Sequence, residues 1–111
     1  MVDGHKITKN VAIENYISMI NDYVEDEIIL SDHALFRIRE KDRKIFKDKV
    51  IKLIIRRISP IVVGLQKNGC YAAFYEYGGG LVLRVIIDVQ PSKITIVTFY
   101  AIAKVQIPIL K

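Results

Sequence analysis

A chain of 111 residues, 51% of them hydrophobic and with a formal net charge of +5, has material for a single core, which excludes two independently folded units. The charge is polarised: residues 1–36 are net −5, residues 37–57 net +7 and residues 58–111 net +3. A single cysteine excludes an internal disulfide, and no apolar run reaches the roughly 18–20 residues needed to cross a bilayer. With no cationic and then apolar leader at the amino terminus, the expected setting is the cytoplasm, with no membrane partner.

In residues 11–24, Val11, Ile13, Ile17, Ile20 and Val24 recur at three- and four-residue steps, which predicts a helix starting near Asn10. The acidic Glu25-Asp26-Glu27 breaks the pattern, and Ile28-Ile29-Leu30 is long enough only for an edge strand or an extended lead-in. Ser31 or Asp32 caps the next helix, on which His33 and Arg37 lie about 40° apart beside the apolar Ala34, Leu35 and Ile38. A break near Lys41-Asp42-Arg43 leads to a third helix over about residues 45–58, whose core face is read as Phe46, Val50, Leu53 and Ile54. Lys49, Lys52 and Arg56 fall within about 60° on the other side as a basic ridge, while Arg57 projects from the apolar face and must snorkel or pair. This ridge draws polyanions in a salt-dependent way, so nucleic acid is the first partner considered; the plainer reading is a solvated, lysine-rich helix face.

Pro60 ends the helices. Four strand-like runs follow, 61–66, 70–77, 81–89 and 94–102, separated by Asn68-Gly69, Gly78-Gly79-Gly80 and Pro91-Ser92, connections short enough to require an antiparallel meander. A hairpin at the triglycine sets Phe74 opposite Arg84, Tyr75 opposite Leu83 and Tyr77 opposite Leu81. One face, with Tyr71, Ala73, Tyr75, Tyr77, Leu81, Leu83, Val85, Ile87 and Val89, is the core face; the other, with Ala72, Phe74, Glu76, Val82, Arg84, Ile86 and Asp88, is read as open and ligand-facing. Arg84, alone among aliphatics, is either in an ion pair with Glu76 or Asp88 or a phosphate-binding guanidinium. Tyr100 either packs in the core or stacks on a base.

His33, at a helix start where the dipole disfavours its cation, has the chemistry of a general base or acid; the plainer reading is a capping or packing residue. Metal-free RNA cleavage by the 2′-hydroxyl needs a proton acceptor, a cation for the developing charge and a donor for the leaving oxygen. His33, Arg37 with Arg84, and Tyr100 have the functional groups for those roles. No Cys/His spacing suits zinc and the triglycine opens a strand rather than a helix, so neither a metal nor a cofactor is expected.

The run Ser31-x-His33-Ala34-x-x-Arg37, the following helix up to Pro60, Gly69-Cys70-Tyr71 and the final Ile96-Val97-Thr98-Phe99-Tyr100 resemble the RelE/ParE-like toxin superfamily, and most closely a small branch with a Ser-x-His-Ala-x-x-Arg helix opening. The resemblance implies an α+β fold with helices packed on one face of a twisted four-stranded antiparallel sheet, with the first helix as an addition. It divides a single domain, 1–111, into an amino-terminal extension (1–27), a core (28–102) and a tail (103–111). It also implies an RNA-binding toxin, acting as a metal-independent endoribonuclease or a gyrase poison and held by an antitoxin. His33 and Arg37, and more weakly Arg84 and Tyr100, are the residues carried over; Lys49, Lys52 and Arg56, read from charge and helical spacing, are the expected nucleic-acid contacts. The alternative is a non-catalytic nucleic-acid-binding or protein-interaction module of a mobile element or virus, with a homodimer formed through the tail and first helix.

Overall fold

The structure, a computed structural model, describes residues 7–34 and 48–103. Strands β1 (Ile7–Asn10), β2 (Ile28–Leu30), β3 (Val62–Gln66), β4 (Tyr71–Gly78), β5 (Leu81–Gln90) and β6 (Lys93–Ala103) form one sheet in the order β1-β3-β4-β5-β6-β2. All neighbours are antiparallel except β2, which runs parallel to β6. Helix α1 (Ile13–Asn21) joins β1 to a short 3-10 turn at Glu25–Glu27, and helix α2 (Asp48–Arg57) precedes β3.

The expected fold class is contradicted: among the described residues, about half of them in strands, the sheet has six strands and is mixed, in place of helices laid on a four-stranded antiparallel sheet. The meander β3 to β6 falls where turn residues predict it, and β2 is the edge strand that Ile28–Leu30 allows, but β1 was beyond reach. β1 reads Ile-Thr-Lys-Asn and exposes its last three residues, so it carries no alternating apolar signal. Its partner is far along the chain, and β2 likewise pairs non-locally with Ile94–Ile96.

Phe74 does lie opposite Arg84 and Tyr75 opposite Leu83, whereas an irregularity between Glu76 and Gly78 sets Gly78, not Tyr77, opposite Leu81. Gly78, Gly79 and Gly80 all have positive φ, the conformation that makes glycine necessary in this turn. A bulge between Ile86 and Ile87 leaves Val97 unmatched on β6, so that Ile94, Ile96 and Phe99 all reach the same core despite their odd spacing. The carbonyl freed at Val97 accepts a hydrogen bond from Ser31 Oγ (2.7 Å), and Ile96 O accepts one from the Ser31 backbone (2.9 Å). Ser31 Oγ also accepts from Ala34 N (3.0 Å), capping the helical residues 32–34 as its position predicts.

The first core joins Val63, Ala73, Tyr75, Leu83, Val85 and Ile87 with Tyr16 and Ile20 of α1 and Ile51 and Ile55 of α2. α1 is therefore part of the central packing. The second sheet face is not open as expected, because Ala72, Phe74 and Val82 are fully buried in a cluster with Ile7 and Ile86. Within the first core, Tyr16 and Tyr75 hydroxyls bond to each other at 2.9 Å, which makes two buried polar groups compatible with apolar walls. Burial pushes the Tyr16 hydroxyl up to about 12, with the Tyr75 hydrogen bond acting more weakly in the other direction. Tyr75 is raised too, by burial first and then by its proximity to Tyr16.

Two outcomes follow from this packing. A Cβ at Gly64 would meet Ile7 Cγ2 at 2.6 Å, so Gly64→Ala is expected to destabilise the fold by about 1–3 kcal/mol; in urea unfolding, Ile7→Ala combined with Gly64→Ala should cost less than the two single changes summed. In the unfolded chain tyrosines ionise near pH 10, whereas Tyr16 and Tyr75 stay protonated in the fold. Stability is thus unaffected by this pair below pH 10 and falls as pH rises from 10 through about 12, by up to about 1.4 kcal/mol per pH unit for each tyrosine. Tyr16→Phe should flatten that decline, as read by denaturant midpoints.

Candidate functional site

α2 is rotated relative to the expected orientation. Ile51 and Ile55 are buried while Leu53 is 54% exposed, because the sequence offers two apolar stripes at helical spacing and only tertiary packing selects between them. Ile51 and Ile55 meet the sheet beside α1, leaving the basic side to face outward. Lys52 and Arg56, one turn apart, are half-buried, and Arg57 is exposed rather than snorkelling from a core face. Lys49 belongs to α2, but its side chain lies outside the described residues, as does Arg37 altogether.

Between the last turns of α1 and α2 is a half-open cleft of about 110 Å³. Ile17, Ile20 and Ile55 give it an apolar floor, and Arg56, Arg57 and Asn21 line its polar side. Arg56 and Arg57 also place cations where the helix dipole is negative, which helps hold the last turn. The acidic Glu25 and Asp26, both exposed, follow α1 in the 3-10 turn.

Arg84 and Tyr100 are brought together, on the second sheet face. They pair across β5 and β6, and the Arg84 guanidinium carbon lies 5.9 Å from the Tyr100 ring centroid and 5.3 Å from that of Phe74. Arg84 Nη2 donates to Gln66 Oε1 at 3.0 Å; Gln66 Nε2 in turn donates to Asn68 Oδ1 at 3.1 Å. Asn68 Oδ1 also accepts from Cys70 N at 3.0 Å, so one amide side chain organises the β3–β4 turn and anchors the arginine's partner. Gln66 was missed in the sequence, although a glutamine ending an otherwise apolar strand is a visible sign of a buried polar partner. This chain of bonds spans β3, β4 and β5 and gives the guanidinium a structural place.

His33 is exposed and follows Asp32 into the helical residues whose Ala34 enters the first core, while Arg84 belongs to the second face. Cys70 is free and half-buried, and burial, with Asp88 contributing less, raises its thiol, so the thiolate is scarce at neutral pH. No family model, no curated protein and no solved structure matches the chain.

Arg84→Lys is expected to lower stability by about 1–2 kcal/mol, since an ammonium cannot lie flat between two rings while reaching Gln66. Thermal unfolding checks this; an unchanged midpoint would mean that the two rings and Gln66 do not depend on the guanidinium.

Proposed function

We propose that the protein binds RNA through the outward side of α2. The observation that carries this reading is the rotation of the helix: burial of Ile51 and Ile55 leaves Lys52, Arg56 and Arg57 grouped on accessible surface beside an exposed Leu53. Cations so placed neutralise phosphates and release counterions, while a neighbouring aliphatic side chain and the cleft offer contact to sugars and bases. The exposed acids after α1 repel the same strand and so restrict how it lies on the molecule. The reading rests on charge and exposure, not on the resemblance to RelE/ParE-like toxins, from whose four-stranded architecture this chain departs.

The proposal is limited to binding: His33 is exposed beside Ala34 of the first core, whereas Arg84 is held at the second face by Gln66, Phe74 and Tyr100. A labelled single-stranded RNA titrated at several salt concentrations tests binding. Affinity should fall with salt, with a slope corresponding to about two or three phosphates. Lys52→Ala with Arg56→Ala should weaken binding about tenfold and flatten the slope. Salt-insensitive binding, or equal affinity in the double variant, would contradict the proposal. The same RNA kept intact in EDTA by the wild type separates a binding protein from a ribonuclease; loss of full-length RNA that disappears in His33→Ala would restore the enzymatic reading.

A further inference from the structure

Resting on that reading, we propose that the cleft between the ends of α1 and α2 receives one unstacked guanine base of the bound RNA. Its position comes first. Arg56 belongs both to the outward basic side and to the cleft wall, so a strand whose phosphates meet Lys52 passes the cleft mouth within one nucleotide's reach.

Its size and walls come next. At about 110 Å³ and half-open, the cleft is smaller than the roughly 150 Å³ cavity that encloses benzene, so it receives one edge and part of the face of a base and leaves the rest of a purine outside its mouth. The floor of Ile17, Ile20 and Ile55 is apolar and suits the face of a base. Two helices end here, and the carbonyls of their last turns make the cleft a poor seat for a phosphate despite its two arginines. A neutral base avoids that conflict, because its edge both accepts and donates.

The choice among bases follows from the donors. The guanidinium groups of Arg56 and Arg57 each present N–H groups in a planar fork, which matches the paired O6 and N7 acceptors of guanine. Adenine puts an amino donor where guanine has O6, and a pyrimidine lacks the second acceptor. Asn21, exposed at the end of α1, can accept from the guanine amino or imino groups.

The test uses the full chain and three RNA octamers: all uridine, and the same strand with one central guanosine or one central adenosine. The guanosine strand should bind about tenfold more tightly than the other two. Asn21→Trp, which closes the cleft mouth from an exposed position, should remove that preference, so that within this variant the guanosine strand binds no more tightly than the all-uridine and adenosine strands; Asn21→Ala, which leaves the cleft open, should reduce the preference only partly. Circular dichroism verifies that both variants are folded. Equal affinity for the three strands, equal affinity for the adenosine and guanosine strands, or a guanosine preference that survives in Asn21→Trp would overturn the guanine site while leaving RNA binding by α2 standing. Failure of all three strands to bind would instead overturn the parent reading.

Discussion

The pairing of β4 with β5 is the constraint on which the rest of the structure depends. Three consecutive glycines at positive φ close the hairpin, and the irregularity beside Gly78 fixes which residues face which core. A slip of β5 by one residue against β4 would send Leu83 and Val85 to the second face and put Arg84 among the aliphatics under the helices. The register instead places Tyr75 against Tyr16 and Arg84 between Phe74 and Tyr100. Both potentially costly polar placements, a buried hydroxyl and a half-buried cation, are thereby matched with partners.

The same register sets the seat of α2. Ile51 and Ile55 are buried in the same core as Ala73 and Tyr75 of the first face, and once they are buried the opposite side of the helix must carry its cations to solvent. The candidate RNA surface is thus a consequence of which aliphatic stripe the sheet accepts. Arg56 is shared between that surface and the cleft beside α1, so one rotation creates both.

Local signals were legible and distant ones were not. Pro60, Asn68-Gly69, the triglycine and Pro91-Ser92 mark the meander strands to within a residue or two, and the Phe74–Arg84 pairing follows from counting back from the turn. The cap by Ser31 was readable too, but its second bond to the bulged Val97 was not, since the bulge is visible only when β6 is laid against β5. β1 and β2 owe their strand form to partners dozens of residues away. The orientation of α2 was readable only in part: Ile54 packs against the core as expected, but Leu53 satisfies the helical period as well as Ile51 and Ile55 do, so periodicity alone could not say which of them is buried. The expectation of an open second face failed because Glu76, Arg84 and Asp88 suggested water, whereas Phe74, Val82 and Ile86 between them form a core.

Backbone amide shift mapping during titration with a single-stranded RNA locates the binding surface without relying on substitutions. Perturbations concentrated at Lys52, Arg56, Arg57 and Asn21, with Phe74, Arg84 and Tyr100 unmoved, are the expected result. Perturbations centred on Arg84 and Tyr100, with α2 silent, would contradict an RNA surface on that helix.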